Sequence, residues 1–302
     1  MAEKTFRSFS KEDGAKYALY RFNYSPNLYQ MVLDYHKSSG GQFDTVLDVG
    51  CGPGIAIANL YTHFTHAIGL EPSQGMIDTA RAIHSDTPIT FVVSSAEELA
   101  TIAPASVDLL VAATAAHWFD MPKFWARAAE VVKPRGTVAI WCGGPVSVGE
   151  GIPGREAIQA AVDRLDERLD DYMLPGNRLV RDLYVDLVLP WTAENPIEGF
   201  DKESFTRQEW GTDAEGSLPG TEYMAVKMAL DLDGLEKVLG TASPVIRWRE
   251  AHPELVGTEE DVVRRMRREI EAVFRDEGVD EKDQKLDGGI AATLLMLKRT
   301  GA

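Results

Sequence analysis

A carboxylate and three glycines lie close together in the sequence VLDVGCGPG, which occupies positions 46–54. The apolar residues before them predict a buried strand, and the glycines predict a turn that leads into a helix. Because Gly50, Gly52 and Gly54 have no Cβ atom, a ligand can approach the backbone of this turn closely. We therefore expect a nucleotide-type cofactor to bind at this turn, the alternative being a merely tight connection between a strand and a helix.

The chemistry of the turn favours S-adenosylmethionine over a dinucleotide. A dinucleotide site requires the spacing G-x-G-x-x-G, but position 55 is Ile. Asp48 would repel a pyrophosphate at short range, whereas it suits a cofactor that carries a sulfonium and an ammonium group and no phosphate. The predicted cofactor is S-adenosylmethionine, with S-adenosylhomocysteine as product, and the turn residues expected to contact it are Asp48, Gly50, Cys51, Gly52 and Gly54.

Glu71 closes the next apolar run, 17 positions after Gly54. An acidic residue at that point accepts hydrogen bonds from both ribose hydroxyls of a bound adenosine; the alternative is a surface carboxylate. After the third run, Glu97 or a nearby backbone group is expected to receive the adenine amino group while Met76 packs on the ring, although Glu97 could equally be the N-terminal charge of a short helix. The other expected cofactor contacts are Pro72, Ser73, Ser95, Ala96 and Ala113.

His117 follows the fourth apolar run, at the edge where parallel sheets bind ligands. It is the candidate catalytic base for a hydroxyl or thiol acceptor, because its ordinary pKa lies near neutrality; the alternative is a histidine that only orients its loop. Arg21 and Arg247 are candidates to hold a substrate carboxylate, since a guanidinium pairs bidentately with it; each could also be a plain surface arginine. The expected substrate pocket is completed by Tyr20, Trp118 and Trp141.

Five short apolar runs predict the strands that position these residues, at 45–49, 66–71, 89–94, 107–113 and 137–141. Helix-length segments lie between them at 55–63, 73–84 and 121–132. This alternation is typical of a parallel sheet covered by helices on both faces. A helical arm is predicted before the first strand, because Ser10 with Asp13 and Ser25 with Pro26 both resemble helix starts.

The chain after Trp141 has a different pattern. Residues 142–154 contain five glycines and two prolines and predict a hinge. Helices are predicted at 158–173, 178–189, 221–239 and 258–274, a sixth strand at 205–210 and a buried last strand at 290–297. We therefore expect a helical arm (1–40), an α/β core (41–145), a helical cap with the sixth strand inserted into the sheet domain (146–285), and a last core strand (286–302).

The order of these motifs resembles that of class I S-adenosylmethionine-dependent methyltransferases, and within them the trans-aconitate methyltransferase-like group. The resemblance implies an α/β fold with a Rossmann-like sheet, mostly parallel with an antiparallel last strand, and it favours a carboxylate as methyl acceptor. It covers most of the chain. The residues that carry it are Tyr17, Tyr20, Arg21, 47–54, 69–76, 94–99, Val107, Asp108, 117–120, 133–137, 241–243 and Trp248.

Composition and charge exclude several classes of protein. The chain is 44% hydrophobic and 26% charged, as in ordinary soluble globular proteins. A formal net charge of −16 repels nucleic-acid phosphates and anionic membrane surfaces, so neither is an expected partner. The start of the sequence lacks an apolar signal segment and the two cysteines are too few for a disulfide framework, so a cytoplasmic location is expected. No cluster has metal-ligand spacing, so no metal is expected.

The sequence therefore predicts a methyltransferase in which the fold positions a methyl donor against a small-molecule carboxylate, hydroxyl or thiol. Most of the rate is expected from proximity, orientation and a dry site. The alternative is a protein that binds S-adenosylmethionine without transferring its methyl group, as partner or regulator of another enzyme. A nicotinamide dehydrogenase is disfavoured by Ile55 and Asp48. A monomer is compatible with the sequence, which does not predict the oligomeric state.

Overall fold

The computed structural model describes residues 6–21, 23–38, 40–211 and 228–301. Its strands in chain order are β1 (Thr45–Val49), β2 (His66–Glu71), β3 (Ile89–Val93), β4 (Val107–Ala113), β5 (Val132–Val148), β6 (Phe200–Trp210), β7 (Met228–Asp231) and β8 (Lys285–Arg299). They form one sheet with the order β3-β2-β1-β4-β5-β8-β6, and β7 also pairs with β8.

The first five strands are mutually parallel, and β8 runs antiparallel to each strand that it pairs with. This confirms the predicted mostly parallel sheet with an antiparallel last strand. Because β1, β2 and β4 run in the same direction, the segments that follow them meet at one edge of the sheet. These segments hold the glycine turn, Glu71 and His117.

The helices are α1 (Lys11–Tyr20), α2 (Pro26–Ser38), α3 (Ile57–Leu60), α4 (Gln74–Ile83), α5 (Met121–Val131), α6 (Arg155–Leu169), α7 (Pro175–Arg181), α8 (Leu232–Leu239), α9 (Ser243–Ala251) and α10 (Val262–Asp276). Both faces of the sheet are covered, as predicted. In β8, Leu294 and Met296 pack with α2, α3 and α4 residues, whereas Leu295 and Leu297 pack with α5 on the other face. Burial on both faces explains why β8 is a nearly unbroken apolar run.

The predicted N-terminal helix starts are both present. The Ser10 side chain accepts the Asp13 N–H, and the Asp13 carboxylate accepts the Ser10 N–H, which closes a capping box at the start of α1. α1 then packs against α4, where the Thr79 hydroxyl donates to the Lys11 carbonyl at 3.2 Å. The arm therefore lies beside the segment that follows β2 and delivers Arg21 towards the carboxyl edge of the sheet.

Three predicted elements differ from the structure. Residues 142–148 are not a hinge, because β5 continues to Val148 by pairing with β8 through a bulge between Gly143 and Val146. The helix predicted at 178–189 ends at Arg181, since Leu183 and Tyr184 have left-handed φ angles of +51° and +60°. Of the helix predicted at 221–239, residues 221–227 lie outside the described ranges, residues 228–231 form β7, and α8 begins only after the Asp231 cap.

Helices α6, α8, α9 and α10 share an apolar cluster of their own, which includes Ile158, Leu235, Trp248, Met266 and Phe274. The segment between β5 and β8 also supplies β6 and β7 to the main sheet. The division of the chain at residues 40, 145 and 285 stays a prediction.

The described residues were also compared with the requirements of a membrane span and of a metal site. Among them, no helix has both the length and the apolar content of a membrane span. The same ranges contain no group of three or more His, Cys, Asp or Glu residues arranged to hold a metal ion.

Candidate functional site

The glycine turn joins β1 to α3 and is fastened to β2. The Gly50 and Cys51 N–H groups both donate to the Leu70 carbonyl, at 2.7 and 3.0 Å. Gly52 has a φ of +52°, a left-handed conformation that side chains other than glycine rarely adopt. A Cβ atom at Gly52 would meet no atom within 4 Å, so it would project into open space. The turn thus exposes bare backbone to a space that a ligand can enter.

Glu71, the last residue of β2, faces this turn. Its Oε2 accepts the Gly52 N–H at 3.2 Å, and its Oε1 accepts the Ser73 N–H at 3.0 Å. Glu71 is a buried residue, with 8% of its surface exposed. Ser73 caps α4 by accepting the Met76 N–H, and both of these side chains are buried, while Pro72 is half-buried. The residues at and after the end of β2 that were predicted to contact the cofactor therefore lie close to one another, beside the glycine turn.

Asp48 lies beneath the turn and is fully buried. Its Oδ2 accepts the Ile57 N–H at 3.2 Å at the start of α3, whereas Oδ1 has no hydrogen-bond partner among the described residues. Burial raises the pKa of Asp48 to about 7, with the negative charge of Glu71 acting in the same direction and the Ile57 bond opposing both. A buried carboxylate oxygen without a partner fits a ligand or water that donates a hydrogen bond.

The residues after β3 have a structural partner that the sequence did not indicate. Glu97 Oε1 accepts the Asp120 N–H at 2.8 Å, and Asp120 is the N-cap of α5. Glu97 therefore links the loop after β3 to the loop that contains His117. Ala96 is buried in the core and Ser95 is half-buried. Ala113 ends β4 opposite Trp141 of β5. A contact of these residues with adenine stays a prediction.

His117 lies on a single 3₁₀ turn, Ala116–Trp118, shortly after β4. Its Nδ1 is 2.7 Å from the Tyr184 hydroxyl. Burial lowers the pKa of His117 to about 3, and the positive charge of Arg21 acts in the same direction. The imidazole is therefore neutral at physiological pH and a weak base. The Tyr184 hydroxyl is a specific hydrogen-bond partner for His117, and the role of His117 in proton abstraction stays a prediction.

Arg21 reaches the same region from the end of α1. Its guanidinium lies 4.7 Å above the Tyr17 ring, and Nη2 donates to the Thr241 carbonyl at 3.3 Å. The Nε atom is buried and has no hydrogen-bond partner among the described residues. The charge of Arg21 is also one of the causes that lower the pKa of His117. A buried N–H without a partner fits an anionic acceptor group.

The other predicted substrate residues have different surroundings. Trp118 is half-buried, with Phe6 of the arm against its ring. Trp141 has no exposed surface and lies behind Tyr24, so a direct substrate contact would require neighbouring side chains to move. Arg247 donates to the Tyr172 carbonyl at 2.7 Å and to Asn177 Oδ1 at 2.5 Å, contacts that hold α9 to the segment 170–177. Tyr20 is half-buried on α1.

Three residues of this region were missed by the sequence reasoning: Tyr24, Thr114 and Tyr184. The Tyr24 hydroxyl is 2.9 Å from Thr114 Oγ1, which connects the arm to the residue after β4. Thr114 could have been found, because it directly follows a predicted strand at the ligand-binding edge. The sequence around Tyr184 has no feature that indicates a ligand site, because residues 178–189 have the pattern of a helix interior.

The chain is similar to known methyltransferases over part of its length. A family model described as a methyltransferase domain matches residues 47–140. A Dictyostelium discoideum protein named as a methyltransferase is 31% identical over 183 residues, covering 60% of this chain and 64% of that protein. A Saccharomyces cerevisiae protein named as an S-adenosylmethionine-dependent methyltransferase is 29% identical over 133 residues, covering 43% of this chain and 45% of that protein. The matched segments thus span less than two thirds of these relatives.

A solved structure shares the fold. The protein, from Anaeromyxobacter dehalogenans and described as a type II methyltransferase, superposes with a TM-score of 0.60 at 23% identity. The superposition covers 93% of this chain and 97% of that one. The Rossmann-like arrangement of strands and helices is therefore the one found in a methyltransferase structure.

Proposed function

We propose that the chain, in which residues 47–140 match a methyltransferase-domain model, is a class I enzyme that transfers a methyl group from S-adenosylmethionine to a small-molecule acceptor. The observation that carries this proposal is the open space beside Gly52, whose backbone N–H is held by the Glu71 carboxylate. The acceptor and the whole protein's activity are parts of the proposal.

The residues at the carboxyl edge of the sheet fit the cofactor. Glu71 offers carboxylate oxygens to the ribose hydroxyls, and the unpartnered Oδ1 of Asp48 suits a cationic or hydrogen-bond-donating group. When bound, S-adenosylmethionine supplies a methyl group made electrophilic by its sulfonium. The residues that we propose hold it are Asp48, Gly50, Cys51, Gly52, Gly54, Glu71, Pro72, Ser73, Met76, Ser95, Ala96, Glu97 and Ala113.

On the acceptor side, Arg21 binds an anionic group and aligns it, while Trp118 and Phe6 cover the cleft and limit access of water. The neutral His117 is too weak a base to activate a hydroxyl efficiently. A carboxylate is already ionised at pH 7 and needs no base. We therefore propose a carboxylate acceptor, in agreement with the resemblance to the trans-aconitate methyltransferase-like group. A cytoplasmic location is part of the same proposal, since both cysteines are buried free thiols.

Titration calorimetry with S-adenosylhomocysteine tests the cofactor site. Glu71→Ala is expected to weaken binding by about 10- to 100-fold, because a charge-assisted hydrogen bond contributes about 1.5–3 kcal/mol. Glu98→Ala removes an exposed carboxylate from the loop after β3 and is expected to leave the affinity unchanged. Equal affinities of wild type and Glu71→Ala would remove Glu71 from the site.

A transfer assay with radiolabelled methyl donor then tests the reaction, using a panel of carboxylic acids, phenols and thiols. Methyl transfer to a carboxylic acid is the expected result. Tight cofactor binding without transfer to any class would instead support a binding protein, and absence of S-adenosylhomocysteine binding to the wild type would overturn the proposal.

A further inference from the structure

Tyr184 is a buried tyrosine whose hydroxyl meets the candidate acceptor site. Its side chain is 1% exposed, and its hydroxyl oxygen lies 2.7 Å from His117 Nδ1. The two rings are tilted by 41° with centroids 5.9 Å apart, so the hydroxyl is the main point of contact. No hydrogen bond in the described part of the chain engages the other ring nitrogen of His117, Nε2.

The backbone around Tyr184 is held in a costly conformation. Leu183 and Tyr184 both have left-handed φ angles, which residues with a Cβ atom rarely adopt. Arg207 of β6 donates to the carbonyl oxygens of both residues, at 2.6 and 3.3 Å. Glu209 in turn accepts from Arg207 Nε at 2.7 Å. Arg207 of strand β6 therefore stabilises the turn that places the Tyr184 hydroxyl beside His117.

Both members of the pair are neutral, so either of them can be the donor in the contact between Nδ1 and the hydroxyl. Burial raises the pKa of Tyr184 well above its ordinary value, so the phenol keeps its proton. Burial and the charge of Arg21 lower the pKa of His117, so the imidazole is neutral and carries one N–H. The Cys142 thiol also faces the Tyr184 hydroxyl, and burial raises the pKa of that thiol, so it contributes no charge. A phenol O–H donating to Nδ1 leaves the histidine proton on Nε2.

We propose that Tyr184 is a positioning residue that holds His117 in the Nε2–H tautomer, so that His117 donates a hydrogen bond to the methyl acceptor instead of removing a proton from it. The part that concerns the acceptor rests on the proposed function. The tautomer itself does not, because it concerns only the contact between Tyr184 and His117. In this proposal His117 acts as a hydrogen-bond donor with a fixed tautomer and not as a base.

Two-bond ¹H–¹⁵N correlation spectra of uniformly ¹⁵N-labelled protein test the tautomer directly. The His117 signals are identified by their loss in His117→Gln. In the wild type we expect a protonated Nε2 and an unprotonated, hydrogen-bonded Nδ1. In Tyr184→Phe the Nδ1 resonance is expected to shift towards that of a free imidazole, and the second tautomer becomes populated. A wild-type His117 protonated at Nδ1 would overturn the proposal even if Tyr184→Phe did not fold.

A matched control is available in the cap, where the Tyr172 hydroxyl lies 2.8 Å from His252 Nε2. Tyr172→Phe removes an equivalent hydroxyl and is expected to leave the His117 signals and the acceptor KM unchanged. Tyr184→Phe is expected to raise the acceptor KM about 2- to 10-fold, the size of one neutral hydrogen bond, with little change in kcat or in S-adenosylhomocysteine affinity. Unchanged His117 signals in Tyr184→Phe would contradict the positioning role. Absence of methyl transfer would contradict the proposed function but leave the tautomer result intact.

Discussion

The cofactor side and the acceptor side of the proposed site are built from different kinds of groups. The cofactor side consists largely of backbone, with Gly52 and Ser73 N–H groups directed at one carboxylate, and all of its central residues lie between positions 48 and 76. The acceptor side consists of side chains brought together from distant segments, such as Arg21 and the Thr241 carbonyl, 220 positions apart. The cofactor side therefore depends on one local stretch of backbone and the carboxylate beside it, whereas the acceptor side depends on single side chains from distant segments.

This difference has a mechanistic meaning. Backbone groups held by strand pairing are rigid and suit a ligand that is the same in every reaction cycle. Side chains at the meeting point of the arm, the β4 loop and the cap can be exchanged without disturbing the sheet. We therefore expect variants on the two sides to separate cofactor affinity from acceptor KM.

Gly52→Val is expected to have the largest effect, because it changes the backbone side. A branched side chain in a left-handed conformation costs roughly 1–2 kcal/mol or more, and it would fill the open space beside the turn. Binding of S-adenosylhomocysteine should fall below detection by calorimetry. Gly257→Val is the matched control, since Gly257 has a φ of +75° and a similarly open surrounding; it should show similar strain in thermal unfolding but bind normally. A folded Gly52→Val with wild-type affinity would show that the turn is not the cofactor site.

Arg21→Gln is expected to have an intermediate effect that is confined to the acceptor side. Loss of a guanidinium that pairs with a carboxylate should raise the acceptor KM about 10- to 100-fold, with S-adenosylhomocysteine affinity changed less than about 3-fold. Steady-state kinetics with a carboxylic acid found in the transfer assay, together with calorimetry, measures both. Arg247→Gln serves as comparison, because its cap contacts predict a lower melting temperature instead. A larger KM effect at Arg247 than at Arg21 would reverse their assignments.

His117→Gln is expected to have the smallest effect on turnover. The folded pKa of about 3 lies below the ordinary 6.5, so the ring gains a proton only near pH 3 and stays neutral from pH 5.5 to 8.5. A glutamine amide keeps an N–H donor, so kcat should change only slightly and the profile of rate against pH should show no inflection from this group. A loss of about 10²–10⁴ in rate, typical of a missing general base, would instead indicate a hydroxyl or thiol acceptor.

The fold was largely predictable because its signals are local. The bounds of β1, β2 and β4 agree with the predicted runs, and a methyltransferase-domain model matches residues 47–140. Strand β5 was underestimated, because residues 142–148 are rich in glycine and become a strand only through pairing with β8. The residues around 142–148 do not themselves indicate that a strand far along the chain will pair with them.

The candidate site was predictable to a different extent on its two sides. Asp48, Gly52 and Glu71 were found because strand, turn and carboxylate lie in one stretch of sequence. Tyr184 was missed because its contact with His117 spans 67 positions and depends on left-handed residues held by Arg207. The placement of His117 was predicted, but its low pKa was not, since burial and the charge of Arg21 arise only in the folded chain. The trans-aconitate methyltransferase-like assignment stays a prediction.

The position of β8 in the sheet constrains how the chain can fold during synthesis. This strand lies between β5 and β6, yet its residues are made after those of all the other described strands. Until residues 285–299 have left the ribosome, β5 presents an unpaired edge and β6 has no neighbour in the sheet. Between the synthesis of β5 and that of β8, the nascent chain therefore carries an open apolar sheet edge, which is a site where aggregation can begin.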